Sequence, residues 1–75
     1  MAPVGDFEIA IGKRLRELRM QRTGLSQEKF AYSIDMDRTY YAALERGLHT
    51  LSISKLRTIA KGLQMTMSEV LEGMD

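Results

Sequence analysis

The residues of this 75-residue chain best suited to chemistry are its cations, which cluster between positions 13 and 29. Six basic residues stand there against two acidic ones, although the net charge of the whole chain is only +1. Such a cluster forms either a solvated helix face or an electropositive surface that attracts phosphate groups. The six are Lys13, Arg14, Arg16, Arg19, Arg22 and Lys29.

Catalytic and metal-binding chemistry has few candidates in this sequence. There is no cysteine, which excludes a thiol nucleophile and a disulfide framework, and the single histidine, His49, has no partner at the spacing of a metal site. No Ser/His/Asp set, pair of catalytic carboxylates or phosphate-binding glycine loop is visible. A domain of this size also buries a modest core, which leaves little room for a large cleft. We therefore expect no enzymatic activity, no metal and no small-molecule cofactor.

The sequence has no targeting or membrane-spanning pattern. No apolar run approaches the roughly 18 residues that a membrane span needs. The first residues, MAPVGDFEIAIGKR, lack the basic start and long apolar stretch of a signal peptide. Together with the absence of cysteine, this predicts a soluble protein of the reducing cytoplasm.

Apolar residues recur at helical spacing along the chain, and no segment alternates long enough to indicate a strand. Possible N-caps at Ser26, Asp37 and Ser52, and a capping box from Thr66 to Glu69, mark where helices begin. The sequence predicts one compact all-α domain over residues 1–75, with a loose arm at its start. The arm covers 1–6, and the five helices cover about 7–22, 27–33, 38–46, 53–63 and a short segment through Leu71.

The two short helices at 26–33 and 38–46 are joined by a tight turn. Two helices of about two turns each with a short turn between them form a helix-turn-helix, here over residues 26–46. In that unit the second helix enters the major groove of DNA, and side chains of its first turn reach the base edges. Tyr41 shares a stripe with Leu44 and Leu48, which predicts that the Tyr41 side chain is core.

The same region resembles the XRE family of phage-repressor and Cro-like DNA-binding domains. The resemblance rests on the segments Leu25–Ala31, Met36–Tyr41 and Leu44–Gly47, and it continues to cover residues 9–72. The Asp-Arg-Thr-Tyr segment from Asp37 and the short chain are most similar to the controller proteins of restriction–modification operons. One departure is Gln64, which stands where the family commonly has glycine and predicts a different bend before the fifth helix.

The resemblance implies residues that contact DNA bases. Arg38 would bond O6 and N7 of guanine, and Thr39 would meet a thymine methyl group or offer its hydroxyl. Tyr40 would assist them, and Ala43 could do no more than touch a thymine methyl. The competing interpretations are a solvated Arg38 paired with Asp35 or Asp37, and Thr39 as a second-choice N-cap. The implied base contacts are Arg38, Thr39, Tyr40 and Ala43.

The resemblance also implies contacts to the DNA backbone. The start of the second helix offers free amides and the Gln27 side chain to a phosphate. The loop after the recognition helix would approach neighbouring phosphates, although His49 is as readily interpreted as a solvated loop residue. The implied phosphate contacts are Ser26, Gln27, Arg46, His49 and Thr50.

Two further expectations concern assembly. The resemblance implies that Glu45 pairs with Arg19 of the first helix, the alternative being that both are solvated. Apolar residues near the C-terminus, over about 64–75, exceed what so small a domain can bury, which predicts either a homodimer interface or an ordinary core edge. The interface residues would be Met65, Met67, Leu71 and Met74.

We therefore expect a sequence-specific regulator of transcription that binds a pseudo-palindromic double-stranded DNA operator as a homodimer. The resemblance implies an autoregulatory restriction–modification controller. The alternatives are an antitoxin, a phage-type repressor, or an adaptor that binds another protein through its methionine-rich C-terminal face.

Overall fold

The computed structural model describes residues 5–74, and within that range the chain is entirely helical. The expected five-helix fold is confirmed. Of the expected arm, residues 1–4 lie outside the described range, whereas Asp6 already belongs to the first helix because Gly5 caps it and acidic side chains favour a first helical turn. The helices are α1 (Asp6–Arg22), α2 (Gln27–Ser33), α3 (Arg38–Glu45), α4 (Ile53–Leu63) and α5 (Met67–Val70).

Side-chain caps fix the start of four of these helices. The Asp37 carboxylate accepts a hydrogen bond from the Tyr40 amide at 2.9 Å and so begins α3, and Ser26 and Ser52 cap α2 and α4 in the same way. The capping box before α5 is complete, since the Thr66 and Glu69 side chains each accept a bond from the other's backbone amide. Local sequence therefore determines where these helices begin.

Left-handed residues end α3 and α4. Gly47 has φ of 75° after α3, which ends at Glu45, one residue earlier than predicted. Gln64 adopts φ of 58° at the end of α4, and the Met65 amide bonds the Ala60 carbonyl at 2.9 Å. Gln64 thus adopts the left-handed conformation that glycine commonly supplies at a helix end.

The core lies where the long helix α1 packs against α3, α4 and α5, and α2 packs against α3. Tyr41 is fully buried, as predicted, and its ring lies 5.2 Å from that of Phe30. Leu48, which has the same helical spacing, is 49% exposed, because the chain reverses at Gly47 and leaves the helical stripe. The largest fully buried side chains are Leu15, Phe30, Tyr41, Leu44, Ile59, Leu63 and Val70.

The backbones of α1 and α3 approach each other closely at Gly12. A methyl group at this position would lie 2.7 Å from the Leu44 carbonyl oxygen and 2.8 Å from the Glu45 carbonyl carbon. Those distances are shorter than van der Waals contact, so only glycine permits the observed spacing. The position of α3 against the rest of the domain depends on this contact.

We expect Gly12→Ala to destabilise the domain. Alanine favours an isolated helix by about 1 kcal/mol over glycine, but overpacking against a backbone costs about 1–3 kcal/mol and requires α3 to move. Urea unfolding followed by circular dichroism measures whether Gly12→Ala lowers or raises the free energy of unfolding. Lys13→Ala, on the exposed face of the same helix, is the control. A Gly12→Ala protein more stable than the wild type would contradict the close approach.

Candidate nucleic-acid interface

The turn between α2 and α3 holds the two helices in a fixed relation. Asp35 adopts the left-handed conformation with φ of 55°, and the amide of Met36 then bonds the Ala31 carbonyl at 2.9 Å. Aspartate tolerates this conformation better than most residues. The Met36 side chain is buried in the core and anchors the turn from below. The amino end of α3 therefore projects from a turn that is fixed by backbone and core contacts.

An open hollow, which we call the α2–α3 hollow, lies between the start of α2 and the outward face of α3. Arg38 and Thr39 reach it from α3, and Arg46 from the residue after α3, all with exposed side chains. Ala42 also lines it and is half-buried; its outward position was not singled out from sequence, although it follows from the three-residue spacing to Thr39. The full lining is Ser26, Gln27, Glu28, Arg38, Thr39, Ala42, Ala43 and Arg46.

Arg38 makes an ion pair across the rim of the hollow. Its Nη1 donates to Oε2 of Glu28 at 2.6 Å, and both side chains are 67% exposed. The interpretation of a solvated Arg38 paired with Asp35 or Asp37 therefore named the wrong partner. The Asp37 carboxylate caps α3 instead, and Glu28 comes within reach only because the turn folds α2 back over α3.

Tyr40 lies outside the α2–α3 hollow. Its half-buried ring stacks on that of His49 with centroids 5.4 Å apart, and the Lys55 ammonium lies 5.8 Å from the ring centroid. These residues and the exposed Thr50 flank the carboxyl end of α3 and the start of α4. Sequence reasoning did not single out Lys55. Its position in the first turn of α4, after the N-cap Ser52, was the signal that a cation lies at the start of this helix. Tyr40 thus groups with the expected phosphate contacts rather than with Arg38 and Thr39.

Two other expected contacts have little freedom to reach DNA. Ala43 is only 8% exposed, because it points from α3 toward the body of the domain, and it offers a base far less surface than Ala42 does. The Gln27 side chain donates to Oε1 of Glu45 at 2.8 Å, so one of its amide hydrogens is already used. The role of Gln27 in holding Glu45 was not predicted from sequence.

A buried ion pair lies beneath the interface. The Arg19 guanidinium donates to both carboxylate oxygens of Glu45, at 2.8 and 3.1 Å, and to the Leu25 carbonyl at 2.6 Å. Both residues are nearly excluded from solvent. Burial acts to raise the pKa of the Glu45 carboxyl, but the hydrogen bonds from Arg19 and Gln27 outweigh it and hold that pKa below its usual value. Glu45 is therefore ionised and joins α1, α2 and α3.

The C-terminal residues form a partly covered apolar edge. Met65, Leu71 and Met74 are half-buried against the core, whereas Met67 is 37% exposed on α5. On the opposite side of this edge, the Arg14 guanidinium donates to the Val70 and Glu69 carbonyls at 3.0 Å each and fixes α5 to α1. The edge is thus rigidly attached to the body of the domain.

The part of the chain that the structure describes offers little to a metal or a membrane. Among residues 5–74, no three His, Cys, Asp or Glu side chains lie close enough together to hold a metal ion. None of the described helices is both long and apolar enough to cross a bilayer.

We expect Glu45→Ala to lower the free energy of unfolding by about 3–5 kcal/mol, because it leaves the buried Arg19 without its partner. Since the folded pKa of Glu45 is lowered, its stabilisation is complete above the unfolded pKa of about 4.3 and is lost as the pH falls through the folded value. Urea unfolding measures the free energy of unfolding of the wild type and of Glu45→Gln. The difference between the two proteins should become smaller as the pH is lowered.

The exposed Glu17→Gln is the control for that experiment, with an expected effect within about 0.5 kcal/mol. A Glu45→Gln protein that differs from the wild type by the same amount at pH 7 and in strong acid would contradict the role of the charged pair.

Comparison with known proteins identifies the family to which this geometry belongs. A model of the helix-turn-helix domain matches residues 10–72. The control protein C.MunI of a Mycoplasma species is 42% identical over 96% of this chain and 97% of its own length. The control protein C.BamHI of Bacillus amyloliquefaciens is 30% identical over 89% of this chain and 83% of its own length.

The solved structures agree with the sequence relatives. The restriction–modification controller protein C.AhdI from Aeromonas hydrophila superposes with a TM-score of 0.77 at 37% identity, over 83% of this chain and 92% of that one. The resemblance to XRE-type helix-turn-helix domains is confirmed, and so is the narrower resemblance to restriction–modification controller proteins. The chain belongs to the helix-turn-helix family that includes the restriction–modification control proteins.

Proposed function

We propose that the protein regulates transcription by binding a pseudo-palindromic operator in double-stranded DNA as a homodimer. The observation that carries this proposal is the exposed first turn of α3, where the side chains of Arg38 and Thr39 are exposed beside an open hollow. A helix end of this kind fits the major groove, and a bidentate arginine–guanine contact contributes about 1–3 kcal/mol of discrimination between bases.

The residues around that helix end are suited to the DNA backbone. Ser26 and Gln27 begin α2, where free amides favour a phosphate, and Arg46 lies at the far end of the hollow. His49 and Thr50 lie on the opposite flank with Lys55, whose ammonium adds a cation that the sequence interpretation did not include. In this proposal Tyr40 supports the flank by holding His49, and Ala42 replaces Ala43 as the small residue nearest the bases.

A homodimer would set the spacing of two such helices. The apolar edge of Met65, Met67, Leu71 and Met74 is the surface that we propose for the contact, since it is partly exposed yet rigidly attached to α1. A two-fold pair of recognition helices entering successive major grooves lies about 34–36 Å apart, which matches two half-sites one helical turn apart.

The relatives indicate the biological setting. The C.MunI and C.BamHI proteins are called control proteins, and C.AhdI is called a restriction–modification controller. We infer that this chain likewise controls restriction–modification genes, with its own concentration as the input through dimerisation. Such a regulator acts in the cytoplasm, as a DNA-binding protein without catalytic activity of its own. An antitoxin, a phage-type repressor and a protein-binding adaptor are the alternatives. The DNA-binding experiment below separates the adaptor from the other three.

Fluorescence anisotropy with duplex DNA at several salt concentrations tests the proposal. A protein that neutralises Z phosphates loses affinity with a logarithmic slope of about −0.9Z, so binding to random duplex should weaken steeply as salt rises. Selection of bound duplexes from a random pool should then yield an inverted repeat. An adaptor would bind no duplex at any salt concentration, and that result would contradict the proposal.

We expect Arg38→Ala to lower affinity for the selected operator by roughly ten- to a hundredfold and affinity for random duplex far less. The reason is that a base contact discriminates between sequences whereas a phosphate contact does not. Arg16→Ala, which removes an exposed cation from the middle of α1, is the control and should not change the ratio of the two affinities. Equal losses on both duplexes would show that Arg38 contacts the backbone.

Leu71→Asp is expected to convert the dimer into a folded monomer, because it places a charge in the proposed apolar contact. Sedimentation velocity without DNA measures the mass, and circular dichroism verifies the helical content. Ser54→Asp is the matched control, since it adds the same charge to an exposed first helical turn that favours acidic residues. A Leu71→Asp protein that still sediments as a dimer would move the interface elsewhere.

A further inference from the structure

We infer that Glu28 is a specificity-determining residue: its carboxylate holds the Arg38 guanidinium over the α2–α3 hollow, so that this arginine meets base edges and not the nearest phosphate. The inference rests on the proposed function, since it assigns a role within the same DNA-binding surface. Glu28 would act as a positioning residue through Arg38, without itself contacting a base.

The geometry of the pair leaves Arg38 able to bind DNA while it is held. Glu28 uses only Nη1 of the guanidinium, and the described residues provide no other hydrogen-bond partner for Arg38. The guanidinium carries five N–H donors in a planar fork, so donors remain for a nucleobase after one is used. The Glu28 carboxylate therefore limits the rotation of the Arg38 side chain and leaves its other N–H groups available to a base.

Two fixed helix ends give the pair its precision. Glu28 lies in the first turn of α2, which the Ser26 cap begins, and Arg38 is the first residue of α3, which the Asp37 cap begins. The turn between them is anchored by the buried Met36. The backbone positions of both partners are thus set by the fold, and only the side chains have to meet.

The charge of Glu28 is the second reason for this assignment. A carboxylate that lines a surface facing DNA repels phosphates and costs affinity for every sequence. Its contribution to folding is small, because an exposed ion pair adds little to stability. An unfavourable charge at this position is therefore explained best by what it does to Arg38, which is to prevent a flexible cation from binding the phosphate backbone of any duplex.

The experiment compares Glu28→Gln with the wild type on the selected operator and on random duplex, by anisotropy over a series of salt concentrations. We expect affinity for random duplex to rise about two- to fivefold, the range that an exposed ion pair contributes. The salt slope on random duplex should steepen by about 0.9, as one phosphate contact is gained. The ratio of operator to random affinity should fall. A purely structural role for Glu28 would not change the salt slope.

Two further variants separate the role of the pair from the effect of charge alone. Glu17→Gln removes the same charge from an exposed position of α1 outside the hollow. In an Arg38→Ala background, Glu28→Gln should leave the ratio of the two affinities unchanged, because the residue through which Glu28 acts is gone. The inference is overturned if Glu28→Gln behaves like Glu17→Gln, or if its effect on the ratio persists without Arg38.

These outcomes are distinguishable from a failure of the proposed function. A wild-type protein that binds no duplex at low salt overturns both the proposed function and the role of Glu28. A wild-type protein that selects an operator, and whose selectivity does not depend on Glu28, overturns this inference alone.

Discussion

The arrangement of the domain depends on one buried ion pair, that of Arg19 and Glu45. Arg19 belongs to α1 and Glu45 is the last residue of α3, and the bonds from Arg19 to the Leu25 carbonyl and from Gln27 to Glu45 add the α1–α2 connection and the start of α2. Because two charges excluded from water tolerate few geometries, the pair fixes the orientation of the helix-turn-helix on α1. The close approach at Gly12 sets the distance between the same two helices, and the ion pair sets their rotation.

This division between interior and surface explains how so small a domain can present a rigid recognition helix. Apolar packing supplies stability, and the buried pair supplies the direction in which α3 points. The exposed residues of the α2–α3 hollow do not belong to the core and are therefore available to contact DNA. Arg38 and Thr39 lie on the solvent side of α3, whereas Tyr41 and Leu44 lie on its buried side.

The elements of the fold could be predicted because their signals are local. Three examples are the cap at Asp37, the left-handed residue Gly47 and the capping box of Thr66 and Glu69. Each acts within one helical turn, so the interacting groups are neighbours in the sequence. Contacts between helices could not be derived in that way. The partner of Arg38 proved to be Glu28, ten positions away, and nothing in the local sequence distinguished it from the nearer Asp35.

The candidate site was predictable where the family resemblance gave positions, and less so where side chains compete for partners. Gln27 was assigned to phosphate, and its side-chain amide also bonds the Glu45 carboxylate, because a buried charged acceptor favours every hydrogen bond within reach. Leu48 has the helical spacing of Tyr41 and Leu44 but is exposed, because that spacing no longer applies after the reversal at Gly47. Neither the bond from Gln27 to Glu45 nor the exposure of Leu48 is contained in a one-dimensional pattern.

The central claim is that the amino end of α3 enters the major groove and reads bases through Arg38. The most direct measurement replaces the guanines of the selected operator with 7-deazaguanine, which removes the N7 acceptor that only the major groove displays. We predict a clear loss of wild-type affinity on the substituted duplex and no further loss for the Arg38→Ala protein. Equal wild-type affinity for the two duplexes would contradict this account.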